Sequence, residues 1–409
     1  MSVALKAVDP PASDADAFLR GIDALLPAIR QRAAEVEQRG MVSREMIGWL
    51  TEAGVFRAMQ PRQWGGLELD PATFFEGMVR IASACGSTGW VASVVGIHPW
   101  HIAMFDQRAQ SDVWSGDPNA RASTSYAPTG QARRVPDGFR VSGRWSFSSG
   151  VDHCDWVILG AVVPDDEPGG LGPEFRSFLV PRGDFAVDQE SWHVTGLAGT
   201  GSKDVHVADA FVPEYRTHSS TQVYERTDPG RAVNDRPLYR LPWSVVFPYA
   251  IASPAIGAAV GALDLFIENN RERVSVAGGR TVSASPGLHL RLAESLTEVE
   301  AARTRLALTF RDFQARATRG EEIPYVLRAR CRYDAAHALA HCAGAVYRVL
   351  EVNGGRTMQA GEAFQRMFRD LLAMRNHISA TLEINASAYA LAKLGAPPPP
   401  FNRAQRVVI

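Results

Sequence analysis

One segment of the chain concentrates small hydroxyl groups beside aromatic rings. It runs from Arg144 to Trp156 and contains Ser146, Ser148 and Ser149 just before a glycine. A strand of this composition can lie flat against a planar heterocycle, because its short hydroxyl side chains reach ring nitrogens without steric obstruction. Side-chain alternation puts Ser146 and Ser148 on one face of such a strand and turns Ser149 away, unless the glycine bends the chain back. Ordinary strand serines are the alternative interpretation.

A second group of serines precedes this segment. Ser123 and Ser125 alternate with Thr124, so both serines share one face of a predicted strand.

An imidazole near the C-terminal end is the best candidate for acid–base chemistry. His377 lies in the sequence Asn376-His-Ile-Ser379. With a pKa of ~6.5, an imidazole accepts a proton near neutral pH when it is held at hydrogen-bond distance. A phenol, with a pKa near ~10, is a substrate that needs such a base. The alternative is a helix-end histidine satisfied by a carbonyl group.

Other histidines are spaced as they would be on one face of a helix. His98 and His101 are three residues apart beside aromatic residues, and His337, His341 and Cys342 form a second group. Neither group has the glutamate of an HExxH motif or a CxxC partner, so no metal site is predicted. Core histidines are the alternative to a binding role.

The composition excludes several classes of partner. The chain has 409 residues and a formal net charge of -1, which gives no reason to expect nucleic acid or an anionic membrane as a partner. Its four cysteines form no disulfide framework and fit a reducing cytoplasm. The N-terminus lacks the pattern of a secretory signal, and no apolar run reaches the length of a membrane span without many Ala, Gly and Pro residues. We therefore expect a cytoplasmic protein.

Hydrophobic periodicity predicts an α+β protein in three parts. Residues 1–118 read as an N-terminal helical domain, 119–240 as a central antiparallel β-domain, and 241–409 as a C-terminal four-helix bundle. The polar, aperiodic segment 217–237 is predicted to be a lid loop. The four bundle helices are predicted at Ala258–Asn270, Ser285–Ala317, Pro324–Glu351 and Phe364–Leu394.

Three motifs, in this order, resemble those of the acyl-CoA dehydrogenase superfamily. They are the loop at Gln60–Leu67, the β-rich segment described above, and Gly354-Gly355 followed by Arg366-Met-Phe-Arg-Asp370. The resemblance covers nearly the whole chain and implies the helix–β–helix fold of that superfamily.

The chain departs from the dehydrogenases after Asp370. Many dehydrogenases place a catalytic glutamate here, but this sequence has Arg375, which cannot act as a base because its pKa lies above ~12. The Asn376–Ser379 sequence instead resembles the two-component flavin-dependent monooxygenase branch. That branch is typified by the oxygenase components of p-hydroxyphenylacetate hydroxylase and 3-hydroxy-9,10-secosteroid hydroxylase. The glycine-rich stretch Gly196–Lys203 is similar to a turn of these hydroxylases, and it is not a dinucleotide fingerprint because a strand follows it.

The resemblance assigns roles to particular residues. It implies that His377 deprotonates the substrate and that a hydroxyl near flavin N5, from Ser148 or Ser149, acts in catalysis. The residues that it implies for substrate binding are His98, Trp100, Ser125 and Asn376. The residues that it implies for flavin binding are Trp90, Ser123, Ser125, Ser148, Ser149, Arg271 and Arg273, the two arginines reaching the flavin phosphate across a subunit interface.

The function implied is that of the oxygenase component of a two-component monooxygenase. Reduced FMN (or FADH2), delivered by a separate NAD(P)H-dependent flavin reductase, would react with O2 to give a C4a-hydroperoxide that hydroxylates a small phenolic substrate at the ortho position. The superfamily also implies a homotetramer. The alternatives are an N- or S-oxygenating monooxygenase of the same fold, an FAD-containing acyl-CoA dehydrogenase, or a helical scaffold without enzymatic activity.

Overall fold

A computed structural model describes residues 13–165, 170–274, 279 and 281–405. Residues 1–12 of the predicted N-terminal domain lie outside this part of the chain.

The N-terminal third is helical, and its helices begin at polar caps. The side chains of Ser13, Ser43 and Asp70 each accept a hydrogen bond from a backbone N–H of the first turn that follows. The helices are α1 (Asp14–Arg39), α2 (Arg44–Glu52), α3 (Pro71–Ala84), α4 (Gly86–Gly96), α5 (His98–Ile102) and α6 (Gln107–Trp114). Helix α4 has small residues along much of its length and is almost completely buried, so neighbouring backbones approach it closely.

The central part is one seven-stranded sheet, and it is mixed, whereas the sequence predicted an antiparallel domain. The strands are β1 (Ala122–Val135), β2 (Gly138–Ser148), β3 (Trp156–Val163), β4 (Glu174–Pro181), β5 (Ala186–Asp188), β6 (Lys203–Pro213) and β7 (Thr217–Ser219). Their order is β5-β6-β2-β1-β3-β4-β7. Strands β1 and β2 form a hairpin, but β3 returns along the other edge of β1 and pairs with it in parallel. The turn signals located the strands but did not reveal which neighbours pair.

The segment predicted as a lid loop, 217–237, contains regular structure. It begins with β7, continues into α7 (Ser220–Glu225) and then forms a 3-10 turn at Pro229–Ala232. The side chains of His218 and Asp228 in this segment are buried. The segment is therefore packed against the body of the protein in this structure.

The C-terminal part is a helical bundle, with a break that the sequence did not predict. Its helices are α8 (Trp243–Asn270), α9 (Pro286–Thr318), α10 (Tyr325–Leu350), α11 (Ala363–Arg375) and α12 (Leu382–Lys393). The fourth predicted helix is thus two helices, because the chain leaves α-helical geometry at 376–381 and forms only a 3-10 turn there. Apolar residues continue at helical spacing across this break, and for that reason periodicity missed it.

Helix α8 is the central helix of the bundle. It is long and apolar enough to cross a membrane, but 78% of its most apolar window is buried inside the protein. It packs against α3 through glycines: a methyl group at Gly261 would overlap the carbonyl oxygen of Ser83, and one at Gly257 would overlap that of Val79. Close backbone contact with α3 explains why this helix is rich in small residues.

We expect Gly261→Ala to destabilise the protein by about 1–3 kcal/mol, because the added methyl forces α8 and α3 apart. Gly344→Ala is the matched control, since Gly344 also lies inside a helix but has open space around its Cα. That control should be neutral or stabilising by up to about 1 kcal/mol, as alanine favours the helix. Denaturant unfolding of both variants measures the difference, and equal midpoints would show that the α3–α8 contact is not tight.

Candidate active site

The indole ring of Trp90 joins two groups that are far apart in the sequence. Its Nε1–H donates a hydrogen bond to the Ser149 hydroxyl over 3.1 Å. Its ring also lies edge-on to the imidazole of His377, with 5.8 Å between centroids and 65° between planes. The structure therefore brings together three residues that were predicted to serve catalysis or cofactor binding.

A distorted backbone at the end of β2 changes the predicted direction of the serines. Phe147 has a φ of 66°, a left-handed conformation that is unfavourable for a bulky residue. Strand alternation is interrupted there, and the pairing of β2 with β6 shifts register between Trp145 and Ser148. Ser146 and Ser148 therefore do not simply share a face as predicted. The ring of Phe147 is 70% exposed, with Trp192 edge-on to it at 6.1 Å.

The Ser149 hydroxyl begins a chain of hydrogen bonds that sequence reasoning missed. It pairs with Ser202 at 2.7 Å, Ser202 pairs with Thr200 at 2.7 Å, and Thr200 donates to the Leu197 carbonyl at 2.8 Å. A carbonyl only accepts and each hydroxyl has one proton, so every proton in the chain points from Trp90 toward Leu197. The Ser149 hydroxyl therefore donates its hydrogen bond to the Ser202 hydroxyl. The Gly-Thr-Gly-Ser sequence was the available signal for these residues.

The glycine-rich turn is held to the bundle by a buried carboxylate, Asp370. This side chain accepts the backbone N–H of Leu197 over 2.6 Å and lies beside Gly86, where α4 begins. Burial raises the pKa of the Asp370 carboxyl to about 6, although the bond from Leu197 opposes that shift. The motif that contains Asp370 was recognised in the sequence, but its partner was not.

The hydroxyls of the other candidate serines differ in their pairing. Ser123 donates to the carbonyl of Ser149 and Ser125 to that of Ser146, each over 2.8 Å. Both are therefore used to join β1 to the end of β2. Ser148 is buried, and its hydroxyl has no hydrogen-bond partner within the part of the chain that the structure describes. A buried hydroxyl without a partner is rare and suits a ligand that supplies one.

The helix break positions the predicted base. His377 caps the short 3-10 turn at Ile378–Ala380, and its Nδ1 accepts the backbone N–H of Ser379 over 3.2 Å. Asn376, predicted to bind substrate, is exposed, and its amide donates to the Leu372 carbonyl at the end of α11. This hydrogen bond places Asn376 at the helix end, and its contact with substrate stays a prediction.

His98 and Trp100 belong to a buried aromatic cluster. The His98 Nδ1 bonds to the carbonyl of Ala122 at 2.7 Å, and its Nε2 bonds to the Thr124 hydroxyl at 3.0 Å. The indole of Trp100 donates to Leu238 over 3.0 Å. The cluster consists of His98, Trp100, His101, Tyr126, Trp243 and Phe247. It is an apolar, aromatic cluster that contains a few polar groups.

Known proteins match the chain over most of its length. The acyl-CoA dehydrogenase N-terminal domain family matches residues 24–116, and the acyl-CoA dehydrogenase C-terminal domain family matches 249–381. The flavin-dependent monooxygenase oxygenase subunit HsaA of Rhodococcus jostii is 40% identical, over 93% of this chain and 98% of that protein. This chain belongs to the oxygenase components of flavin-dependent monooxygenases.

Two further comparisons agree with this family. The oxygenase component of p-hydroxyphenylacetate 3-hydroxylase from Acinetobacter baumannii is 30% identical, over 94% of this chain and 90% of that protein. The crystal structure of the HsaA monooxygenase from M. tuberculosis superimposes with a TM-score of 0.89 at 40% identity, covering 94% of this chain and all of that one. The predicted superfamily, three-part fold and flavin-dependent monooxygenase activity are confirmed.

The structure of this monooxygenase also bears on the dehydrogenase alternative. Arg375, at the position of the dehydrogenase glutamate, is exposed at the end of α11. The side chain that faces Trp90 from this region is His377. The position therefore supplies an imidazole and no carboxylate base.

The two predicted phosphate-binding arginines lie at the end of α8. Arg273 donates to the side chain of Asn270 over 2.8 Å and to the carbonyl of Asn353, beside Gly354. Arg271 is exposed at the helix end. Arg273 is thus held against the glycine pair of the bundle, while Arg271 faces solvent in the single chain.

No metal site is present in the described residues, where no three His, Cys, Asp or Glu side chains converge.

Removing the Ser149 hydroxyl should destabilise the protein, because Trp90 loses its acceptor and Ser202 loses a donor. We expect Ser149→Ala to cost about 1–3 kcal/mol. Ser148→Ala is the matched control, and it should be neutral or slightly stabilising, since it removes a buried hydroxyl that has no protein partner. Unfolding of the flavin-free protein compares the two, and equal losses would contradict the assigned pairing.

The buried carboxyl of Asp370 should make stability depend on pH. Its pKa is raised from 3.8 to about 6 in the folded protein, so the folded state binds this proton more tightly than the unfolded state. Its contribution is therefore fully present below about pH 4 and is lost as the pH rises through 6. We expect the stability of wild type relative to Asp370→Asn to fall by about 3 kcal/mol across this range. Denaturant titrations at several pH values test this, and parallel pH profiles would contradict it.

Proposed function

We propose that this monooxygenase hydroxylates a small phenolic substrate at the ortho carbon, using reduced FMN (or FADH2) and O2. The observation that carries this proposal is the position of His377 beside Trp90, which in turn bonds to Ser149. This arrangement puts a proton acceptor next to the residues expected to hold a flavin. A phenolate is far more reactive than a phenol toward an electrophilic oxygen atom, so the acceptor serves the chemistry directly.

The residues at the end of β2 fit a bound flavin. The buried Ser148 hydroxyl has no hydrogen-bond partner among the described residues, and a ring nitrogen would supply one. The exposed ring of Phe147, with the half-buried Trp192 edge-on to it, offers an apolar surface to a planar ring. When bound, a reduced flavin would supply two electrons to O2, so that one oxygen atom is transferred to the substrate and the other leaves as water. Ser148 is the better of the two candidate serines for a flavin contact, because the proton of Ser149 is already donated to Ser202.

The aromatic cluster around Phe247 is proposed to hold the substrate. Its polar edge is formed by the Nε2 of His98 and the hydroxyl of Thr124, which bond to each other over 3.0 Å. Trp100 packs against Phe247 behind this edge, with 6.0 Å between ring centroids. A flat aromatic substrate with a hydroxyl group matches both the apolar walls and this edge.

The partner and assembly are further parts of the proposal. An oxygenase component receives reduced flavin from a separate NAD(P)H-dependent reductase. Helices α9 and α12 expose large apolar side chains, which supports burial against other copies in a homotetramer. These exposed side chains are Leu290, Leu296 and Leu308 on α9, and Ile384 and Leu391 on α12. The four cysteines are free and buried, as expected for the cytoplasm.

The test is product formation by wild type and His377→Asn with reduced flavin, O2 and a simple phenol. We expect the variant to hydroxylate at least about 100-fold more slowly at neutral pH, because it lacks the proton acceptor. Its rate should then rise about tenfold per pH unit toward pH ~10, as solution supplies the phenolate. The yield of hydroxylated product and of hydrogen peroxide measures this.

The exposed histidine variant His289→Ala is the control and should behave as wild type. A wild type that oxidises reduced flavin but yields no hydroxylated phenol would refute the phenolic assignment. A variant without recovery at high pH would refute the role of His377 as a base.

A further inference from the structure

The chain continues beyond α12 as a tail that returns to the sheet. This tail, residues 396–405, begins with a run in which residues 397–400 are all proline. Proline fixes φ near about −65°, so the run is stiff and loses little entropy when it is ordered. The residues that follow the prolines pack against β4 and α7.

One carbonyl oxygen of the tail joins it to both of these elements. The carbonyl of Arg403 accepts the backbone N–H of Phe175 over 2.8 Å and the hydroxyl of Ser220 over 2.7 Å. Phe175 lies on β4, Ser220 is the first residue of α7, and both are buried. The tail therefore ties α7 to the edge of the sheet.

Two side chains of the tail add to this attachment. The guanidinium of Arg403 donates to the Thr221 hydroxyl over 3.3 Å and lies 3.4 Å from the carboxylate of Glu174. Thr221 in turn donates to Glu174 over 2.5 Å. The ring of Phe401 stacks on the ring of Tyr224 in α7, with 4.1 Å between centroids and 4° between planes. Each of these contacts fixes the position of α7 relative to β4.

The elements that the tail covers form one wall of a small cavity beside the aromatic cluster. Its volume is about 20 Å³, enough for one water molecule or one hydroxyl group. Phe175 and Ser220, which both bond to the Arg403 carbonyl, line this cavity. One layer of residues therefore separates the tail from the cluster. The cluster residues on the other side of the cavity are His101, Tyr126 and Trp243.

Helix α7 needs these contacts because it is too short to be stable by itself. It has six residues and ends at Arg226, which has a left-handed φ of 59°. The strand before it, β7, is fixed by its pairing with β4 and by His218, which bonds to His101 over 3.1 Å. Loss of the tail contacts should therefore let α7 move away from the cavity while β7 stays in place.

We propose that the tail is a latch that holds α7 closed over the substrate pocket, and that its release opens the route by which a small aromatic compound enters. This inference rests on the proposed function, because it places the substrate in the aromatic cluster. A cavity with room for one hydroxyl group cannot admit an aromatic ring unless part of its wall moves. The latch contacts can break without unfolding the sheet, since Tyr224 and Arg403 are partly exposed.

The first measurement is the rate at which a small thiol reagent reaches the cavity, and it needs neither flavin nor substrate. Ser177 is buried and lines the cavity, so Ser177→Cys places a thiol there. Iodoacetamide should label this thiol slowly, because labelling waits for the wall to open. Adding Phe401→Ala and Arg403→Ala should raise the labelling rate about tenfold, which is the effect of losing one or two hydrogen bonds of the closed state.

Gln405→Ala, combined with Ser177→Cys, is the matched control, because Gln405 is exposed on the same tail. It should keep the slow labelling rate. The four native cysteines are free and buried, and the chain that retains Ser177 measures their background. Equal labelling rates with and without the two tail substitutions would overturn the latch. Faster labelling of the native cysteines would show general loosening of the fold and would also overturn it.

The second measurement is the binding kinetics of 4-methylphenol, followed by stopped-flow tryptophan fluorescence. In Phe401→Ala/Arg403→Ala the association and dissociation rates should both rise at least about fivefold, while Kd changes by less than about twofold. The reason is that the tail holds the wall in the free and the ligand-bound protein alike. A tail that only supports the bound ligand would give faster dissociation alone, and that result would overturn the latch.

The two proposals can fail separately. A wild type that neither binds nor hydroxylates simple phenols would refute the proposed function. The labelling of Ser177→Cys would still decide whether the tail controls access to the cavity.

Discussion

The hydrogen bond between the Asp370 carboxylate and the Leu197 N–H is the constraint on which the site depends. It joins the bundle to the glycine-rich turn of the β-domain at the point where α4 begins. Through Thr200 and Ser202 that turn holds Ser149, and Ser149 holds the indole of Trp90. A second hydrogen bond, from Arg369 to the Thr195 carbonyl, also holds this turn against α11.

This bond also explains why a glycine occupies position 196. A methyl group there would overlap the carbonyl of Arg369, one residue before the buried carboxylate. The turn must approach α11 closely for Leu197 to reach Asp370. The pKa of the Asp370 carboxyl is raised because burying this group beside the turn disfavours its charged form.

The chain of hydroxyls between Trp90 and Leu197 shows how one group sets the direction of several hydrogen bonds. It ends at the Leu197 carbonyl, which cannot donate a hydrogen bond. That carbonyl therefore fixes the direction of every proton between it and the Trp90 indole.

Sequence reasoning succeeded where the signal was periodic or followed a linear motif. The helices and the serine-rich strands were visible in the sequence, and the role of His377 stays a prediction. The partners of Asp370 and His218 were not, because they come from segments more than a hundred residues away or from a segment without periodicity. The parallel pairing of β1 with β3 depends on tertiary packing, and the turn residues in the sequence do not predict it.

Local irregularities were the other source of error. The left-handed backbone at Phe147 made the prediction of which serines share a strand face wrong. Nothing in the sequence indicated it, because an aromatic residue rarely adopts that conformation. The break at 376–381 was hidden by apolar residues that continue on both sides. Both irregularities lie beside the site, and the left-handed backbone at Phe147 is a strained conformation that the surrounding structure holds in place.

The exposed ring of Phe147 affects the solubility of the protein between turnovers. A flavin that a separate reductase delivers is not bound at all times. Between turnovers this aromatic surface is therefore in contact with water, and the protein must not aggregate through it. The same strand has Arg144 close before Phe147, and its guanidinium bonds to Asp204 over 2.5 Å. Charged residues beside an exposed apolar side chain oppose aggregation. The protein must therefore stay soluble without flavin while Phe147 is exposed. An enzyme with a permanently bound flavin does not have this requirement at the same position.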